Sequence, residues 1–479
     1  MYSLLFLSLT AFTLSFLLTP LVRNLCLRLG CVDRPDQRRK LHACPIPRVG
    51  GLPVAFAYLA AFGLLMLSPL KGGDVIDQSL PLVWKLIPAA VVVFATGLLD
   101  DLLGLKPWQK LLGQLAASAL AYWAGVQIHA LGGFQFPHWW ALPFTILWLL
   151  GCTNAFNLID GLDGLAVGAG LFASLTILAA ALLHGNMALA LATAPLAASL
   201  LGFLRFNFNP ASIFLGDCGS LWLGFVLGCY GILWSQKSAT LLAMTAPLMA
   251  LSIPLLDTAV AILRRFLRRQ PIFGADHAHI HHRLLARGLT PRRAVLLLYG
   301  FCGLAAAFSL LQSTIYNQFR GLIIVLFCAV AWIGIQHLGY AEFTAARRLL
   351  FHGAFRRVLN AQLRLRSLEQ DLAASSSLDQ CWLALRDASR DFGFNQVALH
   401  FNHTLFEESL APADPPNCWS LYVPLSASAY VSLAREFQRP VDPMVVGPFA
   451  NTLRHSLQPA LEKLSTPPCP LRPPRETLF

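Results

Sequence analysis

Five short motifs hold most of the acidic, amide and imidazole groups that could act on a ligand in an otherwise apolar chain. One is the pair Asp100-Asp101, with Lys106 and Lys110 close behind. Adjacent carboxylates repel and call for a cation or basic neighbours. A magnesium ion and a phosphate would supply them. A charged helix end is the plainer alternative, but an acidic pair there opposes the helix dipole, which favours a functional role. In the second motif Asn154, Asn157, Asp160 and Asp163 recur every three residues. If helical, the stretch places all four near one face. Such a face is rich in the hard oxygen donors that suit Mg²⁺; a polar turn is the alternative. In the third, Phe214-Leu-Gly-Asp217-Cys-Gly-Ser220, one acid sits between glycines where an apolar run begins. Helix N–H groups there could face an anion, or Asp217 could simply cap a turn. The fourth holds His277, His279, His281 and His282, with Arg264, Arg265, Arg268 and Arg269 before them. Its spacing is not that of a metalloprotease helix or a zinc finger. Beside so many arginines it reads as a polyphosphate cradle, with zinc or a solvated loop as alternatives. The fifth runs from Asp33 to Gly51 and includes Arg34, Arg38, Arg39, Lys40 and His42. It suits a phosphate-rich ligand and equally a cytoplasmic anchor.

The elements that must position these groups are membrane spans. The 479 residues are 56% hydrophobic and 13% charged, with mean hydropathy +0.58, whereas a soluble domain carries about 25% charged residues. A span needs about 20 mostly apolar residues. Eleven runs qualify, near 3–22, 49–70, 81–99, 110–128, 138–153, 164–183, 187–205, 219–235, 239–262, 294–313 and 320–341. This predicts an all-α polytopic membrane protein with ten or eleven transmembrane helices. One set of connections carries eighteen basic residues, from Arg23 to Arg293, and the other only Lys71, Lys85, Lys237 and Arg320. The positive-inside rule then puts the N-terminus outside and all five motifs, with the C-terminus, in the cytoplasm. The first run has no basic residue before it and Arg23 and Arg28 after it, which suits a first span rather than a cleaved signal.

The net charge of +12 is therefore mainly a topology signal. No basic domain with interleaved aromatics is present, so nucleic-acid binding is not indicated. The eleven cysteines form no CxxC pair and read as small buried apolar residues. The expected domains are a membrane domain at 1–343, an amphipathic linker helix at 344–372, a small cytoplasmic α+β domain at 373–466 and a disordered proline-rich tail at 467–479. Within the third, 397–401 and 419–424 read as strands and 448–461 as a helix.

Taken in order over residues 20–343, Asp100-Asp101, NAFNLIDGLDGL at 154–165, FLGDCGS at 214–220 and HAHIHHRL at 277–284 resemble the polyprenyl-phosphate N-acetylhexosamine-1-phosphate transferases, glycosyltransferase family 4. The resemblance implies a bacterial inner-membrane enzyme that moves HexNAc-1-phosphate from a UDP-sugar to undecaprenyl phosphate and releases UMP, with Mg²⁺ (or Mn²⁺) as cofactor. It implies that Asp217 and Asn157 bind the metal, that Asp160 holds uracil and that Phe214 stacks on it. Asp100 would position or deprotonate the lipid phosphate, with Asp101 and Asp217 completing the catalytic acids. A phosphate monoester is already mostly dianionic at neutral pH, which favours the positioning role. His279, His281 and His282, with Arg264 and Arg265, would hold phosphate or sugar. Asn154, Asp163, Lys40 and Lys110 are expected to complete substrate binding. The sequence His-Ile-His-His followed by Arg-Leu-Leu is similar to the GlcNAc branch that feeds O-antigen, teichoic acid or capsule-like polymers. A phospho-MurNAc-pentapeptide transferase is the alternative. A transporter of anionic substrates would carry its polar site near the bilayer midplane, not at one face. The segment after 343 lies outside the resemblance and is faintly similar to a GAF domain. It would be regulatory or dock the next glycosyltransferase; a homodimer is a further expected partner state.

Overall fold

The computed structural model describes residues 2–30, 32–33, 45–70, 72–131, 134–135, 137–236, 244–267, 279–314, 317–338, 354–402, 404–410, 417–426, 428–437 and 443–465. It divides into two compact units, Met1–Tyr340 and Ala341–Phe479.

The first unit is helical: α1 (Tyr2–Leu29), α2 (Gly51–Met66), α3 (Gly72–Leu103), α4 (Pro107–Trp123), α5 (His138–Ile159), α6 (Leu165–Leu183), α7 (Met187–Asn207), α8 (Gly216–Gln236), α9 (Thr245–Ala250), α10 (Ser252–Leu267), α11 (Ile280–Ala286), α12 (Pro291–Thr314) and α13 (Asn317–His337). Short antiparallel pairs, β1 (Val32–Asp33) with β2 (Ile46–Pro47) and β3 (Ala130–Leu131) with β4 (Phe134–Gln135), pin two connections. Among the described residues, eight helices are long and apolar enough to cross a membrane.

The eleven expected spans differ from these eight at three places. The runs at 49–70 and 110–128 form α2, of 16 residues, and α4, of 17. The run at 239–262 is broken into α9 and α10 around Leu251. Pro254 has no N–H to give to the carbonyl of Ala250, so the regular i→i−4 ladder stops there. Bonds from Leu251 N to the Pro247 carbonyl and from Leu255 N to the Leu251 carbonyl bracket the gap.

Helix α8 is the hub. Of its apolar window, 94% is buried by other helices, against 6% for α13. It touches α2, α3, α5, α6, α7 and α9. Helices α2 and α3 are among the neighbours that reach it backbone to backbone. A Cβ on Gly51 would lie 2.4 Å from the Cα of Gly219, and one on Gly97 2.4 Å from the Asp217 carbonyl oxygen. Without water to drive apolar helices together, such close approach through small residues is how spans gain contact energy.

The second unit is α+β. Its antiparallel sheet has the order β6-β5-β8-β7, built from β5 (Gln396–Phe401), β6 (Thr404–Ser409), β7 (Cys418–Ser426) and β8 (Ala429–Glu436). The alternating residues Val397, Leu399, Val431 and Leu433 point into a core shared with helices Ala354–Ala374 and Leu378–Asp391 and with residues 443–465. The stretch expected as a linker is part of this core. Its helix starts at Ala354, and Leu365, Leu368 and Leu372 at helical spacing are all buried. Strands β6 and β8 were not legible in the sequence. The edge strand β6 exposes most of its residues, and β8 places small residues between its apolar ones. Residues 344–353 and the tail 467–479 lie outside the described residues.

Candidate functional site

Three chain segments bring the first acids together. Helix α3 ends just after Asp100 and Asp101. The chain then turns at Gly104, where φ is +69°. It re-enters a helix at Pro107, whose missing N–H costs nothing in a first turn. The turn is tied to Asp100, whose Oδ1 accepts from Leu105 N at 2.8 Å. Lys110 is thereby carried back over the acids. Its Nζ lies 3.0 Å from Asp100 Oδ2 and also contacts Asp217 Oδ2 at the start of α8. One ammonium therefore bridges two carboxylates that are 117 positions apart in sequence.

Asp101 has a different task. It is 8% exposed, and its Oδ1 and Oδ2 accept from the backbone N–H groups of Asp217 and Cys218, both at 2.9 Å. A carboxylate borrowed from α3 thus caps α8, satisfying two donors that the helix cannot use itself. Adjacent in sequence, the two acids serve a bridge and a cap. In Asp101→Asn one N–H would face an amide donor instead of an acceptor. The expected loss is about 1–3 kcal/mol of stability. Asp100→Asn, at the partly exposed ion pair, should lose less than about 1 kcal/mol. Thermal unfolding of the two variants in detergent checks this order.

The loop before α8 is clasped to the end of the first motif. Phe214 N donates to the Pro47 carbonyl at 2.8 Å. Gly50 N and Gly51 N donate to the carbonyls of Phe214 and Leu215, at 3.0 and 2.8 Å. Phe214 is partly buried. Gly216 turns into α8 with φ of +74°. Lys40, Arg268, Arg269 and His277 lie outside the described residues.

The second motif does not stay on one helical face. Helix α5 ends at Ile159, with Asp160 as its C-cap. Asn154 pairs with Gln114 of α4, its Nδ2 donating to Oε1 at 2.6 Å. Asn157 Nδ2 donates to Ser220 Oγ at 3.0 Å, one turn along α8 from Asp217. Asp160 is half-buried. Burial first, and then the carboxylates of Asp217, Asp101 and Asp163, push its acid well above the usual carboxylate range. Beyond the helix end, Asp163 turns to a structural partner. Its Oδ2 accepts from Asn209 Nδ2 at 2.9 Å and from Ala211 N at 3.0 Å. Asn207 Oδ1 accepts from Gly164 N at 3.1 Å, and Tyr299 OH donates to the Gly164 carbonyl at 2.6 Å. Asp163 therefore ties the α5–α6 turn to the α7–α8 loop.

The histidines join through Gly161. A Cβ there would lie 2.6 Å from His281 Nε2, so the glycine lets α11 reach the acidic turn. His281 is 2% exposed, and neither ring nitrogen has a hydrogen-bond partner among the described residues. Burial, reinforced by His282, lowers its pKa to about 4, so it is neutral near pH 7. The His282 ring lies 4.3 Å from it. His279 meets Asp257 of α10, with Nδ1 3.1 Å from Oδ2. Arg264 and Arg265 are 2% and 6% exposed, near the end of α10.

Gln114 and Asp257 were absent from the sequence reading. Gln114 gives no signal inside an amphipathic run. Asp257 does, as the only acid between Asp217 and Asp276, and an acid at membrane depth marks a functional position by default. Among the described residues, no three His, Cys, Asp or Glu side chains converge as a metal site. The groups near the start of α8 are the carboxylates of Asp100 and Asp217, joined through Lys110, and the amide of Asn157, whose oxygens are hard donors. They suit an ion that takes the rest of its shell from phosphate and water, as Mg²⁺ does.

Comparison with known proteins matches residues 83–235 to the family described as Glycosyl transferase family 4. A probable undecaprenyl-phosphate N-acetylglucosaminyl 1-phosphate transferase of Bacillus subtilis is 36% identical over 325 residues, covering 66% of this chain and 87% of that protein. A decaprenyl-phosphate N-acetylglucosaminephosphotransferase of Mycobacterium tuberculosis is 33% identical over 357 residues, covering 69% and 87%. A phospho-N-acetylmuramoyl-pentapeptide-transferase of Levilactobacillus brevis is 35% identical over 213 residues, covering 41% and 64%.

Proposed function

Because the chain belongs to glycosyl transferase family 4, we propose that it transfers GlcNAc-1-phosphate from UDP-GlcNAc to undecaprenyl phosphate. A lipid phosphate oxygen attacks the β-phosphorus, the bond from that phosphorus to the bridging oxygen breaks, and UMP leaves with the electron pair. The products are undecaprenyl-pyrophosphoryl-GlcNAc and UMP. The carrying observation is the convergence of Asp100, Lys110 and Asp217 from α3, α4 and α8.

Asp217 and Asn157 would hold Mg²⁺. The bound ion supplies neutralisation of the charge that develops on the pyrophosphate. Lys110, already between Asp100 and Asp217, steadies both carboxylates. Asp100, held by Leu105 N and Lys110, orients the attacking lipid phosphate, which needs no base as a dianion. Asp160 and Phe214 take the uracil, and the histidines with Arg264 and Arg265 grip phosphate or sugar. Asp101 and Asp163 act through the backbone they hold. The site faces the cytoplasm of a bacterial cell, at the first membrane step of an envelope polysaccharide.

The test is UMP release by the purified protein from UDP-GlcNAc, undecaprenyl phosphate and Mg²⁺. Release with UDP-GlcNAc supports the reading. Release only with UDP-MurNAc-pentapeptide would move the chain to the peptidoglycan branch. No release from any UDP-HexNAc would sink the proposal.

A further inference from the structure

The carboxylate of Asp257 is 2% exposed within an apolar helix. A buried acid costs several kcal/mol unless its oxygens are satisfied, so its partners show what it is kept for. Both oxygens turn to the histidine motif, 22 and 23 positions downstream. Oδ2 lies 3.1 Å from His279 Nδ1, and Oδ1 accepts from Ile280 N at 2.8 Å. His279 is itself 6% exposed. The His281 ring lies parallel to it, at 4° and 5.8 Å between centroids, and His281 abuts Gly161 of the acidic turn.

We propose that Asp257 is a positioning residue for this reaction, holding His279 as its Nδ1–H tautomer so that the bare Nε2 is left to accept from a sugar hydroxyl of the donor. This rests on the transferase reading. A carboxylate on one imidazole nitrogen fixes the ring's tautomer and orientation. Through the parallel rings the same contact sets His281 against the acidic turn. A cap on α11 alone would explain the Ile280 contact but not the second oxygen on His279.

Asp257→Asn separates the two roles. The amide keeps an acceptor for Ile280 N, but it presents a donor to His279 Nδ1 and drives the ring to the Nε2–H tautomer. In the full-length protein, kcat/KM for UDP-GlcNAc should fall by about 10- to 100-fold, the range for carboxylates that orient a working histidine. In the His279→Ala background the same change should cost less than about threefold, since the coupling partner is gone. A cap-only role predicts equal losses in both backgrounds, because Ile280 N is present in each. Unchanged kcat/KM in Asp257→Asn, or an undiminished loss in the double variant, would overturn the proposal. Imidazole ¹⁵N shifts of histidine-labelled protein, assigned with His279→Ala, read the tautomer without turnover. They should report Nδ1–H in the wild type and Nε2–H in Asp257→Asn. Nε2–H in the wild type would also overturn it. Absence of UMP release in the wild type would instead count against the transferase reading, leaving the tautomer result to decide the role of Asp257.

Discussion

Asp217→Asn should lower UMP release by about a thousandfold with little change in thermal stability. The size follows from what one well-placed electrostatic group contributes to a charged transition state, about 10²–10³ in rate. The substitution keeps the side chain's shape and leaves the cap on α8 intact, because Asp101 binds backbone N–H groups and not the Asp217 side chain. Lys110 keeps its contact with Asp100. What is removed is one negative charge at the junction of α3, α4 and α8, on the carboxylate proposed to hold Mg²⁺. Steady-state UMP release alongside a melting curve checks both halves. Retention of more than about a tenth of the wild-type rate would remove Asp217 from the reaction, since a transition-state contact of this kind cannot be worth so little.

Gly216→Ala should destabilise the first unit by about 4 kcal/mol or more, at the upper end of single substitutions, and abolish activity with it. Two effects add. At φ of +74° a side chain is strained by about 1–2 kcal/mol. The new Cβ would also lie 1.8 Å from the Arg48 carbonyl oxygen and 2.8 Å from Asp101 Oδ2. The first neighbour is backbone and cannot rotate away, so either the clasp at Pro47–Gly51 opens or the cap on α8 slips. Gly104→Ala is the control. Its φ is +69°, but no described residue lies within 4 Å of the added carbon, so only the conformational strain of about 1–2 kcal/mol applies. Yield and melting temperature of the two variants in one detergent give the comparison. Equal losses would show that the contact with Arg48 carries no weight.

The location of the candidate site was legible because acids and histidines are costly in apolar runs and stand out there. Asp100, Asn157, Asp160, Asp217 and the histidines could all be picked out from the chain. Their division of labour could not. Asp100 and Asp101 are neighbours of the same type, and only the placement of α8 makes one a bridge and the other a cap. The three-residue period from Asn154 to Asp163 suggested a helical face, but the helix stops at Ile159 and Asp163 serves the α7–α8 loop. Asp257 sits inside a run that reads as one span; the break at Leu251 depends on one missing N–H at Pro254. The fold class, a helical membrane protein with a small C-terminal sheet, was legible from the apolar runs and from the strand-like stretches at 397–401 and 419–424. Two of the four sheet strands were not, since one is exposed and the other is built on small residues.

The position of α8 at the hub bears on how the molecule is made. Five of its six neighbours, α2, α3, α5, α6 and α7, precede it in the chain, and synthesis runs from the N-terminus. When the ribosome has delivered residue 215, Asp100, Asp101 and Lys110 are already in the membrane with nothing to cap and one partner short. The least hydropathic of the eight candidate spans, with a value of 1.4, must then leave the translocon for a slot between proteins and not for lipid. Assembly of the junction of Asp100, Lys110 and Asp217 is thus the same event as arrival of the central helix, and the histidine motif follows it.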